Sequence, residues 1–306
     1  MRLCVFALKN MSLSLAMDEL GNPNRSIGVD ALLPTDIARK AEAVGAQKAR
    51  MDFASLIVLA VLAGAFIGLG AMFATTVLAG TDGVLPFGIS RLIAGLVFCL
   101  GLILVVVGGA ELFTGNTLMV MALGAGKITL LEMLRAWFVV YLGNLIGAMS
   151  TAILVFLAGQ YLAGDGAVAG VALKLASDKV ALPFARAFFL GILCNVLVCL
   201  AVWLSLGARS TTDKVVAVLF PVSAFVAAGF EHSVANMYLI PLGLLIQSWG
   251  PEGLLVSAQV ASVQLTWPAF LASLVPVTLG NMVGGGVLVG GVYWFVYLRP
   301  RRSSSP

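Results

Sequence analysis

Two apolar stretches of this chain carry the same polar residues at the same spacing. Gly109-Ala110-Glu111-Leu112-Phe113-Thr114-Gly115-Asn116 and Gly229-Phe230-Glu231-His232-Ser233-Val234-Ala235-Asn236 both read G-x-E-x-x-x-x-N, 120 positions apart (229 − 109). An ionisable group set in hydrocarbon costs about 2.5–3.5 kcal/mol on insertion scales, so its presence marks a pathway or a site. Glu111 and Glu231 admit two readings: a proton relay, or carboxylates that tie down the free backbone N–H groups of an interrupted helix. His232 is the only histidine. Its imidazole titrates nearest to cellular pH and can pass a proton, or it can sit neutral and satisfy a hydrogen bond. A single histidine with no Cys-x-x-Cys spacing supplies no metal site. Ser233 beside His232 is no catalytic dyad, because neighbouring side chains on a helix point apart. The expectation is a protein that is not an enzyme and carries no cofactor or metal.

These residues must be positioned by membrane helices. The chain has 306 residues, 60% of them apolar and 10% charged, with a mean hydropathy of +1.05, a composition of multi-pass membrane proteins. Met1 to Leu8 is too short an apolar stretch for a signal peptide, and Met11 and Met17 are alternative starts. Residues 1–33 read as a cytoplasmic tail. Residues 34–52 read as an amphipathic interface helix opened by Pro34, with Ile37, Ala38, Ala41 and Val44 on one face. Residues 53–298 hold six apolar segments, at about 53–79, 90–123, 132–158, 183–206, 215–248 and 269–298, each near the ~20 residues needed to span a bilayer. Residues 299–306 form a basic cytoplasmic tail that anchors the last span against anionic lipid.

The second and fifth segments are too long and too interrupted for straight helices. One contains Gly101, Gly108, Gly109 and Gly115, the other Pro221, Gly229, Pro241 and Gly243. Both are expected to be broken helices turned to the interior, where irregular backbone is tolerated. With both termini inside, fourteen of the 18 Lys and Arg fall on inner segments, and Arg91, Lys174, Lys179 and Arg186 on outer ones. The positive-inside rule therefore gives six spans with cytoplasmic ends in the inner membrane.

The repeat goes further. Leu142-Gly143-Asn144-Leu145-Ile146-Gly147-Ala148 in span three matches Leu279-Gly280-Asn281-Met282-Val283-Gly284-Gly285 in span six, and Phe66-Ile67-Gly68 in span one weakly echoes Phe189-Leu190-Gly191 in span four. Three spans per repeat is odd, so the second copy enters the membrane upside down. The fold class is an all-α membrane protein, a 3+3 inverted repeat with its site near the midplane.

Asn116, Asn236, Asn144 and Asn281 look like hydrogen-bond glue between helices; Asn195, mid-span, is either glue or pore lining. Lys179 is either a vestibular cation that attracts anions or a loop lysine paired with Asp178. Phe98, Leu102, Phe113, Val198 and Phe225 form hydrophobic constrictions or ordinary core. Cys99, Cys194 and Cys199 lie in apolar runs and read as packing residues, and Cys4 stands in the tail. The basic residues are spread along membrane flanks, which gives no surface for nucleic acid.

Taken together, Gly108 to Thr114, Gly191 to Trp203, Phe225 to Met237 and Pro276 to Asn281 resemble the formate/nitrite transporter family, over about residues 34–298. The resemblance implies an aquaporin-like protomer with one pore, assembled as a homopentamer. It implies His232 as the central pore histidine, Thr114 as its hydrogen-bonding partner, Lys179 as the vestibular lysine and Asn195 as a pore-lining group. It places Leu102, Phe225 and Phe98 in an inner constriction and Phe113 and Val198 in an outer one. Gly115-Asn116 after Thr114 is closer to the nitrite and general-anion members than to the formate channels. The cargo expected is a small monovalent anion, formate and/or nitrite, with protons, in a pH-dependent flux; hydrosulfide is the alternative. A water or glycerol channel would have the same shape, but its Asn-Pro-Ala pair is absent from both breaks.

Overall fold

The computed structural model describes residues 32–251 and 265–300, and within them the chain is helix and connecting turn. The tail 1–33, apart from its last two residues, Cys4, and Arg301 and Arg302 of the basic tail lie outside the described residues.

Helix α1 runs Pro34–Ala49, and α2, the first span, Phe53–Leu78. The second segment divides into α3 (Phe87–Gly108) and a shorter apolar helix α4 (Phe113–Gly124). Then come α5 (Leu130–Leu157), α6 (Ala167–Val180) and α7 (Phe184–Gly207). The fifth segment divides into α8 (Thr211–Ala228) and α9 (Ser233–Trp249). The last span, α10 (Trp267–Leu298), is α-helical to Asn281 and π-helical over Met282–Gly291. Helices α2, α3, α5, α7, α8 and α10 are each long and apolar enough to cross a membrane.

Polar side chains set the helix starts. Asp52 accepts the Ser55 N–H at the head of α2. Thr129 with Glu132 and Ser210 with Asp213 make reciprocal capping boxes at the heads of α5 and α8. Those three helices are spans one, three and five, so the caps lie on one face of the bundle. The hydrogen bonds from Ser55 hold the Asp52 carboxyl below the usual carboxylate range.

Packing within each repeat depends on glycine, as lipid offers no hydrophobic drive to join helices and close backbone approach must supply the contact. A methyl group on Gly147 of α5 would fall on the Val61 carbonyl of α2, and one on Gly284 of α10 would fall on the Ile192 carbonyl of α7. Spans one and three are thus joined in the same way as spans four and six.

Three expectations need correction. Pro221 and Pro241 do not mark the break, since both lie inside continuous helices. The connection between spans three and four, read as a loop, holds a helix, α6, that packs Val168, Ala169, Ala172, Leu173 and Ala176 into the core. The echo between spans one and four is in another register. Leu59 and Ala60, not Ile67 and Gly68, do for the first break what Leu190 and Gly191 do for the second.

Candidate pore and its two mouths

Each break is built by one glycine and one asparagine. Gly109 (φ 77°) and Gly229 (φ 74°) end α3 and α8 in the left-handed conformation that other residues adopt only with strain. The next amides turn back: Ala110 N–H donates to Val105 O and Phe230 N–H to Phe225 O, each at 3.0 Å. The extended residue that follows, Leu112 or His232, leaves groups with no helical partner. Asn144 takes them in the first repeat. Its Nδ2 donates to Ala60 O (2.7 Å) and Glu111 O (2.9 Å), and its Oδ1 accepts Phe113 N–H (2.8 Å). Asn281 does the same in the second, on Gly191 O (2.8 Å), Glu231 O (2.9 Å) and Ser233 N–H (3.0 Å). The scaffolding expected of the glutamates is therefore done by these asparagines.

The glutamates are held by side chains instead. Glu231 Oε1 accepts Lys179 Nζ at 2.8 Å and its Oε2 accepts Asn236 Nδ2 at 2.7 Å. Glu111 Oε2 accepts Asn116 Nδ2 at 2.8 Å and lies 3.0 Å from Lys48 Nζ, which also donates to Asn116 Oδ1. Lys179 is thus not a surface lysine paired with Asp178; its side chain is 14% exposed and locked to the break. Burying such a pair is tolerable because each charge has its partner and further hydrogen bonds.

On this twofold frame the central residues are not twofold. His232 stands where the first break has Leu112, and Thr114 where the second has Val234. Asn195 stands where α2 has Gly64, counting from the paired carbonyls of Ala60 and Gly191. His232 Nδ1 accepts the Ala235 N–H at 3.1 Å and caps α9. Nε2 must then carry the proton of the neutral ring, and it donates to Thr114 Oγ1 at 3.1 Å. Asn195 is fully buried; its Nδ2 lies 3.1 Å from Thr114 O, 3.1 Å from Thr117 Oγ1 and 2.7 Å from Asn281 O, tying the first break to the clamp of the second.

Two cavities approach this centre. One, about 240 Å³, is lined by Arg91, Lys179, Arg186, Glu231, His232, Phe98 and Phe225. The other, about 250 Å³, is lined by Lys40, Lys48, Lys214, Glu111, Leu102 and Leu112. Phe98 and Leu102 are successive turns of α3, so about 6 Å of helix separates the two mouths. Phe225 stacks on the His232 ring (5.9 Å, 17°) and meets Phe98 edge-on (5.7 Å, 83°). Of the residues expected at the constrictions, Phe98 and Phe225 line the Lys179 cavity and Leu102 lines the Lys48 cavity. Phe113 and Val198 are buried and line neither cavity; the Phe113 ring packs edge-on against Tyr141 and Trp137.

Lys48, Lys40 and Arg91 escaped the sequence reading. Lys48 and Lys40 lie on α1, which docks on the bundle, Lys40 Nζ donating to Leu206 O at 2.7 Å. The signal for Lys48 was its resemblance in role to Lys179: each break has one Glu, and each Glu in a membrane needs a cation. Among the described residues no group of three or more His, Cys, Asp and Glu is placed to hold a metal ion.

Six spans in two inverted halves, with paired breaks and two polar-lined cavities either side of Phe98 and Leu102, define a multi-pass membrane protein that conducts a small solute. The comparisons with known proteins narrow this. The formate/nitrite transporter profile matches residues 35–295, and the chain belongs to that family. It is 44% identical over 277 residues to the formate channel FocA of Escherichia coli K12, covering 88% of this chain and 96% of that one. Among solved structures it superposes on a pentameric formate channel with formate bound (TM-score 0.75, 42% identity, 81% of this chain and 98% of that one). It also superposes on an FNT family ion channel (TM-score 0.74, 33% identity, 87% and 100%).

Proposed function

We propose that this protein is a pH-dependent channel for small monovalent anions of weak acids, formate and/or nitrite, that cross the septum in neutral form. It serves as a transport protein of a bacterial inner membrane rather than as an enzyme. Both termini are cytoplasmic, so the Lys48 mouth opens inward and the Lys179 mouth outward. It assembles as a homopentamer, as the pentameric relative does, and each subunit holds its own pore. Residues 34–52 cover the cytoplasmic mouth, 53–298 form the channel, and 1–33 and 299–306 are tails.

The observation that carries this reading is the hydrogen bond from His232 to Thr114 at the edge of an apolar barrier one helical turn thick. An anion entering such a barrier loses its hydration, which raises its affinity for a proton. With Nδ1 committed to the α9 cap, the neutral ring acts through Nε2–H, polarising the Thr114 hydroxyl toward an anion beside it. The proton arrives from water in the mouth or through Thr114, and the neutral acid passes Phe98, Phe225 and Leu102. Leaving the septum, it returns the proton to water. Uptake into proteoliposomes of formate, nitrite and hydrosulfide in competition, at two pH values, tests this. Formate or nitrite should compete best and move faster at the lower pH; swelling by water or glycerol without anion uptake would overturn the reading.

A further inference from the structure

The cation that draws anions to the outer mouth should be one whose charge is still available there, and Lys179 does not meet that condition. Its Nζ is 2.8 Å from Glu231, so the pair presents a dipole rather than a charge. The charged and titratable groups facing this cavity are Arg91, Asp178, Lys179, Arg186, Glu231 and His232. With Lys179 and Glu231 cancelling, Arg91, Arg186 and Asp178 remain. Arg186 and Asp178 are exposed, where water and salt screen them. Arg91 is half-buried and has no carboxylate within salt-bridge distance among the described residues. Its guanidinium is held by neutral acceptors: Nη2 donates to Val226 O at 2.6 Å and Nε to Ala227 O at 3.3 Å, the last carbonyls of α8 before the break.

Two consequences follow from that geometry. The fork offsets the negative end of α8, whose last-turn carbonyls would otherwise repel an anion approaching His232. It also leaves Nη1 without a hydrogen-bond partner among the described residues, on a side chain that lines the cavity, a planar donor suited to a carboxylate or nitrite oxygen. We propose that Arg91, rather than Lys179, is the anion-recruiting residue of this mouth, holding the cargo anion one step before the Phe98–Phe225 barrier. The proposal rests on the reading that the cargo is a small anion, and it concerns charge alone, not which anion is carried.

The test uses the full-length protein in proteoliposomes, with initial uptake measured against concentration for whichever of formate, nitrite or hydrosulfide the wild type carries. Arg91→Gln should raise the half-saturating concentration about fivefold at low ionic strength, with little change in maximal rate, and by less than about twofold in ~0.5 M salt. Arg91→Lys, which keeps the charge and gives up the fork, should stay near wild type. An unchanged half-saturating concentration in Arg91→Gln overturns the proposal, as does an Arg91→Lys protein equal to Arg91→Gln, which would make the residue a helix clamp only. A wild type that carries none of the three anions overturns the functional reading itself, a result separate from either.

Discussion

Replacing His232 by asparagine separates its structural task from its chemical one. The ring caps α9 through Nδ1 and supports Thr114 through Nε2. Asparagine is among the best N-cap residues, so its side-chain oxygen can take over the Ala235 N–H, and the cap survives. The bond to Thr114 does not, at a cost of about 1 kcal/mol. His232→Leu, which copies Leu112 of the other break, loses the cap as well, a further ~1 kcal/mol. Thermal unfolding in detergent should therefore rank wild type above Asn and Asn above Leu. Transport should change in another way. In the wild type the anion itself is gathered and then neutralised at the septum, so flux rises as pH falls but less steeply than the neutral acid in bulk does. Without a donor at that position, only acid already neutral in bulk crosses, and this fraction rises about tenfold for each unit of pH lowered. The assay is initial formate uptake into proteoliposomes from pH 5 to 8 at fixed total formate, plotted as log rate against pH. A slope approaching one decade per unit in His232→Asn against a shallow one in wild type is the expected result. Superposed profiles would refute the reasoning.

Glu231→Gln leaves the half-buried Lys179 without its counter-charge and should destabilise by about 3 kcal/mol, with part recovered in Glu231→Gln/Lys179→Met; a thermal double-mutant cycle measures the coupling. The same cycle on Glu111 and the more exposed Lys48 should give a smaller value. Gly284→Ala and Gly147→Ala each push a methyl into a facing carbonyl and should each cost more than about 2 kcal/mol, read as loss of thermal stability and of folded yield. The Asp52 carboxyl, depressed by its cap, contributes stability that is present above the unfolded-state pKa and lost as pH falls through the lower folded value. Asp52→Asn, an equally good cap that does not titrate, should flatten the acid limb of a stability–pH curve and leave neutral stability unchanged.

The parts legible in the sequence were those fixed by local chemistry. Gly109 and Gly229 each end a helix because only glycine takes that backbone turn freely, and Asn144 and Asn281 serve as the hydrogen-bond glue expected of them. The prolines misled, since Pro221 and Pro241 are accommodated within helices while the true interruption needs no proline. Helix α6 was passed over because fourteen residues of moderate hydropathy do not reach across a bilayer, although its small apolar residues recur at helical spacing. The roles of Lys48, Arg91 and Asn195 depend on contacts with residues more than 60 positions away. Which side chain lines which cavity likewise depends on the phase of α3, where Phe98 and Leu102 lie one turn apart and line different cavities.

The near-mirror match of the two mouths has a consequence for direction. Each offers much the same volume, the same lysine–glutamate–asparagine lock and its own set of cations around a shared septum. The twofold frame itself does not distinguish the two directions, and in a conduit with no energy source of its own the sign of net flow is left to the acid and proton gradients across it.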